Sequence, residues 1–307
     1  MTEISAIAFP GAPNLPVFAA QKLGFFEDAG IALRFETTPS SIYQFEQFGA
    51  GNFDIAFTAF DNVVAYREDQ GAVKFENKPD FRAIMGATQI ELSAIVAPDV
   101  VTADDLRGRS IALDAVGTGF AFVLYDMLAR LGLPRAAYQA VPVGATPERW
   151  QSVKNGDHAA TMTIEPFTSI AKAAGFRTLA RSTDMFPAYQ GGVIATRKDW
   201  ADANSAAVAD FLSVYRRGLA WVLDPANREQ ASSILAERMP DVRPAVLDAV
   251  MSSLLDPRSG LTPGGAVLWD GVRAVLDLRS RYGRSDRPLS EPKSYFDLQW
   301  AEAISAG

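Results

Sequence analysis

The strongest constraint on the fold is an alternation running through the first two-thirds of the chain. Short apolar runs repeatedly give way to segments of helical period. The runs at 4–9, 31–37, 53–59, 81–88, 92–98, 110–113, 138–143, 158–164 and 191–197 read as strands. Between them lie helical segments at 14–30, punctuated by Gly24 and Gly30, and at 41–51, 61–69, 123–133, 147–156 and 166–175. Strands alternating with helices specify an α/β fold with largely parallel sheets. From residue 203 the chain reads as all helical. One apolar stripe comprises Val208, Phe211, Leu212, Tyr215, Leu219 and Val222, a second Val246, Ala249, Val250, Ser253 and Leu254, and a third Leu268, Val272, Val275 and Leu276. Proline-rich breaks at 240–244 and 257–263 separate the helices, and the irregular tail at 287–300 is expected to pack back on the body.

Composition narrows the function classes. With 48% hydrophobic and 21% charged residues the chain belongs with globular rather than disordered proteins. The formal net charge of −7 offers no basic footprint for nucleic acid. There are no cysteines, which removes disulfides, thiolate metal sites and a cysteine nucleophile. No apolar run reaches the ~18 residues of a membrane span. Met1–Phe9 is not a secretory signal as written. A periplasmic protein would need a leader absent from this chain, and a native start at Met1 would mean the cytoplasm.

The most informative junction is "DAVGTGFAF", residues 114–122. A strand hands over to a helix through a loop with two glycines. Such a loop can present backbone amides and a helix N-terminus to an anionic or acceptor group, or it can be an ordinary turn in which Thr118 caps the helix. The third glycine of the dinucleotide fingerprint is missing, and no P-loop or HExxH motif occurs. His158, the only histidine, sits at a turn entering a strand with no catalytic partner beside it, and is read as a surface or strand-edge residue.

Several segments together resemble the NMT1/THI5-like, SsuA-like group of type II periplasmic binding proteins. They are "PVFAAQKLGFFEDAGIALRFE", "FGAGNFDIAFT", "DDLRGRSIALDAVGTG", "NGDHAATMTIEPF" and "GGVIATR", in that order over roughly residues 4–225. The resemblance implies the substrate-binding component of an ABC importer for sulfonates, nitrate, aromatic acids or pyrimidines. It implies two α/β lobes, residues 1–90 plus 191–307 and residues 91–190, with crossings near 87–93 and 187–194. A small molecule would sit in the cleft and the lobes would close on it. Implied partners are that ligand and an inner-membrane permease. The expected state is monomeric and non-enzymatic, without cofactor or metal.

In open sheets, ligands lie beyond the carboxyl ends of strands. That rule selects as ligand-binding candidates Asn14, Tyr43, Thr58, Phe60, Asp61, Asp114, Gly117, Thr118, Gly119, Phe120, Glu165 and Gln190. Asp61 could equally cap the helix that follows, and Glu165 has the same ambiguity. If both acids face the cleft, a ligand with an amine, amidine or hydroxyl donor is favoured. None of these loops carries Arg or Lys, which lowers the expectation for nitrate and small sulfonates. Phe9, Tyr43, Phe60 and Phe120 point to a ligand with an apolar or ring portion. An enzyme on the same fold is the alternative: related desulfinases and pyrimidine synthases use cysteine, absent here, but a decarboxylase- or isomerase-like use of Asp61, Asp114 or Glu165 stays open.

Overall fold

The computed structural model describes residues 1–284 and 288–304; Arg287, the first residue of the irregular tail, lies outside them. Ten strands form two mixed five-stranded sheets. The first contains β1 (Thr2–Ala8), β2 (Ile31–Thr37), β3 (Ile55–Ala59), β4 (Phe81–Thr88) and β10 (Gly192–Arg197), in the order β2-β1-β3-β10-β4. The second contains β5 (Ser93–Val96), β6 (Ser110–Leu113), β7 (Gln139–Pro142), β8 (Ala160–Thr163) and β9 (Arg177–Arg181), in the order β7-β6-β8-β5-β9. Within each sheet the first three strands in that order run parallel. The strand arriving from the other lobe, β10 or β5, pairs antiparallel.

The chain therefore crosses between sheets twice, from β4 to β5 and from β9 to β10. The helices are α1 (Leu15–Lys22), α2 (Phe25–Asp28), α3 (Ser41–Gly49), α4 (Phe60–Arg67), α5 (Gly119–Arg130), α6 (Thr146–Lys154) and α7 (Phe167–Ala173). After β10 follow α8 (Lys198–Ala203), α9 (Ser205–Leu223), α10 (Arg228–Arg238), α11 (Pro244–Leu255), α12 (Trp269–Tyr282) and α13 (Gln299–Ala303). The result is a two-lobe α/β fold.

Two local departures from the sequence reading have clear causes. The 14–30 segment divides into α1 and α2 because Gly24 adopts φ 74°, a left-handed conformation that breaks the hydrogen-bond ladder. Strand β9 escapes the hydropathy pattern because it is an edge strand with arginine at both ends.

The C-terminal helices pack as their stripes require. Val208, Phe211, Leu212, Tyr215, Leu219 and Val222 are all buried, and so are Val246, Val250 and Leu254; Ala249 is exposed, with Met251 buried instead. The tail returns to the body: Tyr295 is buried with its hydroxyl 2.7 Å from Glu68 Oε1, and Phe296 stacks on Phe60. His158 sits just before β8, its Nδ1 2.8 Å from Ser110 Oγ.

Helix α12 touches both lobes. It packs against α4 and α5. Its Gly271 lies so close to the β9–β10 crossing that a Cβ there would stand 2.4 Å from the Gln190 nitrogen.

Candidate functional site

Where the two lobes meet lies a cavity of about 70 Å³. Its walls come from both lobes. Phe9, Asn14, Phe57, Thr58, Asn62, Thr88 and Val193 belong to the first-sheet side, while Asp114, Thr118, Phe120, Thr146, Arg149 and Ile164 belong to the second. The wall is mostly apolar, with a few polar groups placed among rings and aliphatic chains, the usual make-up of a small-molecule site.

Of the residues selected at strand ends, Asn14, Thr58, Asp114, Thr118, Gly119 and Phe120 line this cavity. Asn14 donates from Nδ2 to the Phe9 carbonyl at 2.8 Å, which fixes its amide in the wall. Thr58 Oγ1 accepts from Asn62 Nδ2 at 3.0 Å. Thr118 donates to the Ala115 carbonyl at 3.0 Å and does not cap α5 with its side chain. The amides of the first turn of α5 thus keep no side-chain acceptor.

Gly119 serves contact between lobes. A Cβ there would stand 2.4 Å from Asp61 Cβ, so only glycine lets α5 approach α4 this closely.

The other six candidates lie elsewhere. Tyr43 is exposed at the surface. Phe60 is fully buried in the core between Tyr295 and Phe296, because the first turn of α4 rotates it away from Thr58. Asp61 neither caps α4, whose N-cap is Ala59, nor faces the cavity. Arg279 grips it, with Nε 2.6 Å from Oδ1 and Nη2 2.5 Å from Oδ2, and both side chains are 1% exposed. Gly117 is exposed and gives its carbonyl to Arg279 Nη2 at 3.2 Å. Gln190 is buried in the crossing, donating to the Gly192 carbonyl at 2.8 Å and accepting from the Leu268 amide at 2.8 Å.

Glu165 lies behind the cavity wall formed by Pro13, Ile90 and Ile164. Ser169 holds its carboxyl through Oγ at 3.0 Å and the backbone amide at 3.3 Å. Burial pushes its pKa up to about 7, against the lowering effect of those Ser169 bonds. The two acids that would have favoured a donor-bearing ligand, Asp61 and Glu165, are therefore not in the cavity.

Arg149 is the residue the strand-end rule passes over. It stands a turn inside α6, and its side chain leans back toward the helix N-terminus, as helical side chains do. The guanidinium donates from Nε to Thr161 Oγ1 at 3.3 Å, from Nη1 to the Gly144 carbonyl at 2.7 Å, and from Nη2 to Thr146 Oγ1 and the Met162 carbonyl, both at 3.0 Å. It is 3% exposed, and every one of these partners is uncharged. Four of its five N–H groups are thereby used, and one on Nη1 is left. Among the described residues no carboxylate forms an ion pair with it.

Burial lowers the pKa of Arg149 to about 10, with Asp114 and Glu148 acting in the opposite sense, so it is charged at neutral pH. The expectation against oxyanions, drawn from loops without Arg or Lys, is thus corrected: a cation stands in the wall. A sequence signal existed. Thr146, Arg149, Trp150 and Val153 fall at i, i+3, i+4 and i+7, and all four are buried, so Arg149 lies on the inward stripe of α6.

Asp114 lines the cavity and also bridges the two lobes. Its carboxylate reaches across the cleft and accepts the Ser41 backbone amide at 3.1 and 3.2 Å, at the first residue of α3. A carboxylate at a helix N-terminus is well placed electrostatically. Two further backbone bonds cross the cleft, Ala145 N–H to the Pro39 carbonyl at 2.8 Å and Ala12 N–H to the Glu165 carbonyl at 3.0 Å. The lobes are in contact on several sides of the cavity.

Fold and cleft together define the class of two-lobe periplasmic-binding-protein folds. A family model described as NMT1/THI5 like matches residues 13–228, more than half of the chain, and the protein belongs to that family. Among solved structures, one from Bordetella bronchiseptica RB50 is 18% identical, with a TM-score of 0.81, covering 100% of this chain and 98% of that one. The periplasmic aliphatic sulphonate binding protein SsuA from Escherichia coli is 18% identical, with a TM-score of 0.70, covering 97% and 92%. The desulfurization enzyme DSZB is 13% identical, with a TM-score of 0.69, covering 100% and 99%. At these identities the structures share the fold. No curated protein matches the chain in sequence.

Proposed function

We propose that this protein is the solute-binding component of an ABC importer. It captures a small organic molecule with an aromatic or heterocyclic portion and a carboxylate or other polar group. The lobes are residues 1–90 plus 191–307 and residues 91–190, and closure about the two crossings traps the ligand. Its partners are that ligand and an inner-membrane permease that reads the closed form. It acts as a monomer in the periplasm and catalyses no reaction.

The observation that carries this reading is Arg149. A charged guanidinium buried without a carboxylate is costly unless something else supplies the counter-charge. Here it lies in the wall of a cavity large enough to take that counter-charge in. The helix N-terminus at Gly119 adds unsatisfied amides, and Phe9, Phe57 and Phe120 offer rings for the apolar part.

The membership in a family of NMT1/THI5-like proteins and the fold shared with a sulphonate-binding protein support the same reading. The fold shared with a desulfurization enzyme keeps an enzymatic alternative in view. Glu165, with a pKa near neutrality, is its best acid–base group, yet its carboxyl lies outside the cavity.

A thermal-shift screen of small aromatic acids, amines and pyrimidines tests the proposal. A true ligand raises the melting temperature in proportion to the logarithm of its concentration over its dissociation constant. Turnover of a compound, with no compound stabilising the protein, would establish the enzymatic alternative instead.

A further inference from the structure

The cavity wall contains two charged side chains, one of each sign: Arg149 and Asp114. They are not paired with each other. Arg149 spends its N–H groups on Thr161, Gly144, Thr146 and Met162, and Asp114 accepts only the Ser41 amide. Their separation exceeds ion-pair distance. Neither has an ion-pair partner among the described residues, although Asp114 and Glu148 favour the charged form of Arg149 at longer range.

From this juxtaposition we propose that the ligand is a zwitterion, a small molecule with one anionic and one ammonium group joined by an apolar portion. The inference rests on the solute-binding reading and narrows it to a ligand class. The anionic group meets Arg149, assisted by the Thr146 hydroxyl. The ammonium group meets Asp114, whose two oxygens have lone pairs beyond those used by Ser41.

The other ligand charges fit less well. A bare anion satisfies Arg149 but faces the Asp114 carboxylate across a mostly apolar cavity. A bare cation satisfies Asp114 but faces Arg149. A neutral ligand leaves the buried Arg149 without a direct ion-pair partner. Only a ligand with both signs completes the wall.

Matched sets of compounds decide the matter by calorimetry. One set is phenylalanine, 3-phenylpropionate and 2-phenylethylamine; the other is 4-aminobutyrate, butyrate and butylamine. In each set the first compound carries both charges and the others carry one each. The expected result is that at least one zwitterion binds about tenfold or more tightly than both its single-charge partners, since each supplies one charge-assisted contact fewer.

Asp114→Asn sharpens the test, because its amide oxygen can still accept the Ser41 N–H while the charge is gone. In that variant the bare anion should bind at least as tightly as the zwitterion. A bare anion that equals the zwitterion in the wild-type protein overturns the inference and leaves the solute-binding reading standing. A preference unchanged in Asp114→Asn also overturns it. Silence from all six compounds overturns the zwitterion inference, while the solute-binding reading is decided separately by the wider thermal-shift screen. The wild-type comparison decides by itself should Asp114→Asn fail to fold.

Discussion

At the scale of single residues, sequence position and spatial role part company most clearly between Thr58 and Asp61. Three residues apart, they end in different environments. Thr58 faces the cavity, while Phe60 and Asp61 turn into the core with the first turn of α4. A rule that selects strand ends finds the right loop but not the right face. Asp61 is claimed by Arg279, 218 residues later, a partner no local pattern discloses. Arg149 is the converse case. Its helical spacing marks it as inward-facing, but it lies inside a helix, where a rule about strand ends does not look.

Glu165 gives a pH dependence with a definite sign. Its folded pKa, about 7, lies above the ordinary 4.5 because burial disfavours the carboxylate. The protonated form is therefore favoured in the folded state. Stability from this group is complete below about pH 4.5 and is lost as pH rises through 7, at a cost of up to about 3 kcal/mol. The expected outcome is that Glu165→Gln removes this loss: its melting temperature exceeds that of the wild-type protein at pH 8 and approaches it at pH 5. Parallel melting curves across that range would mean that Glu165 ionises without penalty.

At the scale of elements, the alternation of strands and helices was legible because each buried strand and each amphipathic helix has its own period. Edge strand β9 was not, since half its side chains face solvent. The helix pairing of α4 with α12 was equally invisible, although it organises the back of the cleft. Arg279 of α12 binds Asp61 of α4 and also reaches Gly117 and the Phe122 ring, 4.9 Å from its guanidinium carbon, in the other lobe. Removing one member leaves the other buried and uncompensated. Asp61→Asn should therefore destabilise the fold by about 3–5 kcal/mol in urea unfolding. A loss under 1 kcal/mol would mean that water or another group takes the place of the carboxylate.

For the whole molecule, the two crossings and the bonds across the cleft tie the two lobes together. Ser41 is the first residue of α3 and its amide is held by Asp114 of the opposite lobe. Proline is tolerated at that helix position and lacks the N–H. Ser41→Pro should keep the fold, with a melting temperature close to wild type, yet weaken ligand affinity by about tenfold, because the closed form loses a charge-assisted bond. Unchanged affinity would show that this bond does not help hold the lobes together.

In the proposed function, a ligand's anionic group completes the buried charge of Arg149. Isothermal titration of the wild-type protein and of Arg149→Gln, using the acid that gives the largest thermal shift, tests it directly. The expected result is saturable one-site binding by the wild-type protein, no chemical change in the recovered ligand, and an affinity at least about tenfold weaker in a folded Arg149→Gln. Equal affinities in the two proteins, or a ligand recovered as product, would contradict it.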